Sequence, residues 1–159
     1  MSIAHQKNKS AMLVDFDLRR PKVGTYLGLS QEPSLNDYLD GTHNVSDIIV
    51  NPGIDRLVIL STQKPVQGSS EILSSNRVQS LIRDLKEKYE SRIVIFDLPP
   101  VLNSDDALAV LPYIDCVLMV VGNGMSTQKE IENSLRLMPS VNLLGTVLNK
   151  AEDSQKRYY

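Results

Sequence analysis

The chain has 159 residues, 42% of them hydrophobic and 23% charged, with a formal net charge of −2; that is the make-up of one globular domain with a single core. The near-neutral balance leaves no chain-wide basic field for nucleic acid or anionic lipid. No apolar stretch approaches the ~18 residues of a membrane span, and the first residues lack the apolar core and cleavage site of a signal peptide.

Five short apolar runs punctuate the chain: 11–14, 57–60, 93–96, 116–121 and 143–148. They are β-branched or leucine-rich and do not alternate with polar residues, as strands buried on both faces of a parallel sheet do not. The lone cysteine, Cys116, falls in the fourth run; it has no internal partner for a disulfide and reads as a small core residue.

Helical signals lie between the runs. Ser34 caps a short helix carrying Leu35, Tyr38 and Leu39, stopped by Gly41. Residues 64–70, with Pro65 and Gly68, read as a loop. Val78, Leu81, Ile82, Leu85 and Tyr89 share one helical face. Ser104 precedes Ala107, Leu108 and Leu111 in a further helix. Thr127 and Glu130 form a capping box ahead of Ile131, Leu135 and Met138. Alternating strands and helices predict an α/β fold, a three-layer parallel sheet with helices on both faces. Ligands of such sheets bind where the strands end.

After the first run come Asp15, Asp17, Arg19 and Arg20, then Pro21. Acids beside arginines at a strand end suit a Mg²⁺–phosphate site, the acids for the metal or its waters and the guanidiniums for oxyanions. The same residues also read as a solvated turn with internal ion pairs. After the third run come Asp97, Leu98, Pro99 and Pro100. Four apolar residues ending in Asp make a Walker B pattern, and the prolines fix the exit from the strand. After the fifth run come Asn149 and Lys150; Asn suits a nucleobase edge and equally suits a turn. The chain ends in Tyr158 and Tyr159 behind basic residues, at a terminus where phenols can reach another molecule.

Together, in this order, these pieces resemble the bacterial tyrosine autokinases of capsular and exopolysaccharide assembly, relatives of the MinD/ParA ATPases, and among them the autokinases found beside exosortase systems. Residues 14–21 resemble the family's Walker A′ motif, 93–100 its Walker B, and 147–150 its last strand and base-binding Asn. Residues 27–29 and 34–39 resemble the segment after Walker A′, 70–75 the family's loop-to-helix junction, and Tyr158 and Tyr159 the start of its tyrosine cluster.

The resemblance implies ATP and Mg²⁺ as cofactors. Asp15, Asp17 and Asp97 would share the metal and deprotonate the attacking phenol, while Arg19 and Arg20 would face phosphate or the incoming tail. It implies phosphorylation of the tail in trans, self-association, a membrane chain-length-determinant (polysaccharide co-polymerase) partner, and a cytoplasmic location at the inner face of the plasma membrane. One departure is large: no Gly-x-x-x-x-Gly-Lys-[Ser/Thr] occurs anywhere in the 159 residues. Residues 1–4 resemble the end of the helix that follows that loop, so the expectation is a domain, 1–151, truncated at its N-terminus and inactive as it stands, with a tail at 152–159. The alternatives are a MinD/ParA-like ATPase and a non-catalytic protein-binding remnant.

Overall fold

The computed structural model describes residues 9–29, 32–88 and 91–151. The chain forms two compact units, Met1–Tyr113 and Ile114–Tyr159. The expected roles of Tyr89, residues 1–4, the 152–159 tail, Tyr158 and Tyr159 lie outside the described residues.

In the first unit, β1 (Ser10–Asp15), β2 (Leu57–Leu60) and β3 (Arg92–Asp97) pair in parallel in the order β2-β1-β3. Ala11 sits opposite Leu57 on one side and Ile93 on the other, and the register carries on until Asp15 meets Asp97. The central position of β1 explains its apolar run: Met12 and Val14 are fully buried. Beyond the paired ends, the Phe16 N–H donates to the Asp97 carbonyl at 2.9 Å, and the Phe16 and Phe96 rings stack with centroids 5.1 Å apart.

The helices of this unit are α1 (Val23–Tyr26), α2 (Leu35–Leu39), α3 (Val45–Ile48), α4 (Ser69–Leu73), α5 (Asn76–Lys88) and α6 (Asp106–Val110). Ser34 caps α2 in a capping box with Asp37, and Gly41, with φ +84°, follows it as expected of a stop. Helix α5 buries Val78, Leu81, Ile82 and Leu85, the face its spacing predicts. Each such aliphatic side chain contributes roughly 1.5–3 kcal/mol on burial.

The second unit is a βαβ segment. Strands β4 (Val117–Gly122) and β5 (Leu143–Asn149) pair in parallel, joined through α7 (Gln128–Leu137). The Thr127 hydroxyl accepts from the Glu130 N–H, and the Glu130 carboxylate accepts from the Thr127 N–H, which closes the predicted capping box.

Every predicted apolar run is a strand, but three particulars differ from expectation. The described pairings place the strands in two sheets, one of three strands and one of two. Only β1 and β2 are buried along most of their length; β3 alternates, with Ile93 and Ile95 exposed, and β5 is largely exposed. Cys116 is exposed rather than in the core, and it lies one residue before the start of β4 at Val117. Asp105 takes the N-cap position of α6, and Leu111 belongs to a 3₁₀ turn beyond it.

Candidate functional site

The site is built where β1 and β3 end together. Strand β1 stops at Asp15, and the chain turns at once, so Asp15 and Asp17 do not continue an alternating strand face. The Asp15 carboxylate is fully buried, and its Oδ2 accepts from the N–H groups of Lys22 and Val23 at 3.2 and 3.1 Å. Its other oxygen, Oδ1, is buried and has no hydrogen-bond partner among the described residues. Burial, followed by the opposing hydrogen bond from Val23 and then the neighbouring charge of Asp97, leaves the Asp15 carboxyl at about 6, well above its ordinary 3.8.

Asp97 is exposed at the end of β3, yet loss of water around its carboxyl raises it, with the charge on Asp17 adding to the effect. These mutual influences put the three acids in one electrostatic neighbourhood. Asp17 Oδ1 accepts from the Arg20 N–H at 3.0 Å, closing a tight turn that leaves the Arg20 side chain exposed. The hydroxyl of Thr62, just after β2, donates to the Asp15 carbonyl at 2.7 Å, and Val66 N–H donates to the Leu18 carbonyl at 2.8 Å. The loops that leave β1 and β2 are thus joined directly.

Among the described residues, no three acidic, His or Cys side chains are grouped as a ready metal cage. The arrangement fits a different mode. Mg²⁺ keeps several waters and binds through one or two carboxylates together with nucleotide phosphates. Asp15, with its orphan Oδ1, and Asp97, its partner in register, are acids that could hold such a hydrated ion.

Arg19 is placed otherwise than expected. Its Nε and Nη2 donate to the two carboxylate oxygens of Asp106 at 3.0 and 3.1 Å, and Nε also lies 3.0 Å from the Ser69 hydroxyl. Asp106 is fully buried and also accepts from the Ser70 hydroxyl. Burial alone would raise this carboxyl; the hydrogen bonds from Arg19, Ser69 and Ser70 outweigh it and hold it at about 2. Nothing in the sequence marked Asp106, Ser69 or Ser70 for this role: Asp105–Asp106 reads as a solvated acidic pair before an apolar helix, and its partner Arg19 is 87 residues away.

In the second unit, Asn149 ends β5. Its Oδ1 accepts from the Lys150 N–H at 2.8 Å and its carbonyl accepts from the Asn123 N–H at 2.9 Å. Lys150 has a φ of 58°, so the chain turns sharply there. These bonds give Asn149 the turn role that the sequence equally allowed.

Parallel strands with helices between them and acids at their carboxyl ends make an α/β fold that solved structures share. MinD from Pyrococcus horikoshii, determined with Mg-ADP, aligns with a TM-score of 0.67 at 17% identity over 89% of this chain and 58% of its own, a likeness of fold. No protein-family profile matches the chain.

The relatives are bacterial tyrosine-protein kinases, and the chain corresponds to a segment of their kinase domain. It is 30% identical to the tyrosine-protein kinase Ptk of Acinetobacter johnsonii over 99% of this chain and 21% of that protein. The VpsO kinase domain aligns with a TM-score of 0.85 at 25% identity, covering 95% of this chain and 74% of that domain. The kinase domain of Escherichia coli Etk aligns with a TM-score of 0.84 at 28% identity, covering 97% and 60%. The chain spans about a fifth of the length of the curated relatives it matches.

Proposed function

We propose that this chain supplies the Walker A′ and Walker B half of an ATP- and Mg²⁺-dependent protein-tyrosine autokinase serving capsule or exopolysaccharide assembly. The observation that carries the reading is the parallel register that sets Asp15 beside Asp97, with Asp17 close by, in a chain whose relatives are tyrosine-protein kinases.

Mg²⁺, if held by these acids, would supply charge neutralisation for phosphoryl transfer. Asp15, Asp17 and Asp97 share two tasks: holding that ion through its waters, and taking the proton of an attacking phenol. A carboxyl raised toward neutrality is the better proton acceptor of such a set. Asn149 reads the base, Arg20 faces phosphate, and Tyr158 and Tyr159 are acceptors for a neighbouring molecule. The partner is a membrane chain-length-determinant protein, which would place the chain at the cytoplasmic face of the plasma membrane. No helix among the described residues is long and apolar enough to cross a membrane itself.

Phosphoryl transfer depends on positioning and electrostatics, and backbone amides of a glycine-rich loop supply much of both. The 159 residues contain no such loop. The expected behaviour is therefore feeble Mg²⁺–ATP binding by the chain alone. Binding should reach the micromolar range, about −8 kcal/mol, once a strand and loop carrying Gly-x-x-x-x-Gly-Lys-[Ser/Thr] precede it. Calorimetry on both proteins, followed by phosphotyrosine detection on the longer one, tests this. Should Asp97→Asn in the longer protein leave nucleotide affinity and labelling unchanged, the reading falls.

A further inference from the structure

Each of the three strands of the first unit runs into a loop, 16–22 from β1, 61–68 from β2 and 98–105 from β3, and the first two are already joined through Thr62 and Val66. One buried carboxylate receives all three. Arg19 arrives from the loop after β1, Ser69 and Ser70 stand at the start of α4 after the loop from β2, and Asp106 itself opens α6 after the loop from β3. We propose that Asp106 is a positioning residue, tying these loops into one rim through Arg19, Ser69 and Ser70, and so fixing the spacing between Asp17 and Asp97. The proposal rests on the reading of those acids as part of the nucleotide–metal site.

The chemistry favours positioning over simple stabilisation. Burying a carboxylate costs more than burying an apolar side chain of the same size, and an ion pair with one partner half exposed gives little net stability. What the pair provides is geometry. The Arg19 fork meets both carboxylate oxygens, which fixes orientation as well as distance; a lysine cannot do this. Asp17 is two residues from Arg19, in the turn closed on the Arg20 N–H. Asp97 is nine residues before Asp106, and the segment between contains Pro99 and Pro100 and the turn in which Asn103 N–H donates to the Pro100 carbonyl. Asp15 and Asp97 are already joined by the sheet. Beyond the sheet the two chains separate, and the Arg19–Asp106 pair brings them back together, enclosing the acids between two fixed points.

Amide hydrogen exchange on the intact chain tests this without nucleotide. The reporters are the N–H groups of Arg20, Lys22 and Val23, whose acceptors are the carboxylates of Asp17 and Asp15. In Asp106→Asn and Arg19→Gln they should exchange about tenfold faster or more. The amides of Met12 and Val14 in β1 should hold within about twofold. Arg19→Lys should fail to restore the slow rates, since it keeps the charge and loses the fork. Should Asp106→Asn not fold, Arg19→Gln, whose side chain is half exposed, carries the test.

Mn²⁺ added alone serves as the second probe, read by paramagnetic broadening of the Asp15, Asp17 and Asp97 signals. The variants should need about tenfold more Mn²⁺ than the wild type for equal broadening. Unchanged exchange of the three reporters in both variants, or acceleration spread evenly over the whole unit, overturns the positioning role. Absence of broadening in the wild type would count against the metal-site reading instead, and the exchange result would still decide the role of Asp106.

Discussion

Replacing Asp15 by asparagine should stabilise the protein at neutral pH. The buried carboxyl titrates at about 6 in the folded chain, against an ordinary value of 3.8. The folded state therefore holds its proton more tightly than the unfolded state. Stability contributed by this group is fully present below about pH 4, and it declines as pH rises until about pH 6. The whole interval corresponds to roughly 3 kcal/mol. Screening by water at the mouth of the site brings the expected figure to about 1–3 kcal/mol.

Asparagine keeps an oxygen for the Lys22 and Val23 N–H groups, and its amide nitrogen falls where Oδ1 now lacks a partner, beside Asp97. Asp15→Asn should thus raise the melting temperature at pH 7.5 by several degrees, at about 2–4 °C per kcal/mol for a chain of this size. The gain should shrink toward zero by pH 4. Urea titrations of both proteins across pH 4–8 measure the difference directly, and acids common to both proteins cancel to first order. A variant less stable at pH 7.5, or a difference that does not change with pH, would refute the assignment of a costly buried charge at Asp15.

Two further predictions concern the scaffold. Leu81→Ala, at a fully buried position on α5, should cost about 2–5 kcal/mol through lost transfer energy and a cavity, read as a lower urea midpoint with unchanged slope. Thr127→Ala removes the side chain that accepts from the Glu130 N–H, and should cost about 1 kcal/mol, seen as faster amide exchange in the first turn of α7 and little change in α5.

The features legible in the sequence were those set by neighbours along the chain. The five apolar runs became strands because a parallel strand's signature is local, and the Ser34 and Thr127 caps were legible because cap and helix lie within four residues of each other. Helices α1 and α3, of four residues each, are too short to show a hydrophobic period. The exposure of Ile93 and Ile95 depends on what packs over the face of β3, which no local pattern reveals. Among the site residues, Asp15 and Asp97 announced themselves as acids at run ends. Arg19 looked available for oxyanions because its actual partner, Asp106, is brought to it only by the fold. An acid's environment, unlike its position, is a property of distant residues.

The strand order β2-β1-β3 also dictates a timetable for the growing chain. Ser10, at the start of β1, pairs with Arg92, 82 residues later. At a synthesis rate of about 5–20 residues per second, one edge of β1 waits roughly 4–16 seconds before its partner has even been made. Until then Met12, Leu13 and Val14 have at most β2 on one side, itself made only from residue 57 onward, and nothing of this sheet on the other. The unit cannot close as its residues emerge; it must wait for residue 97 and then form its longest-range contacts together, which is the slow route for a parallel sheet.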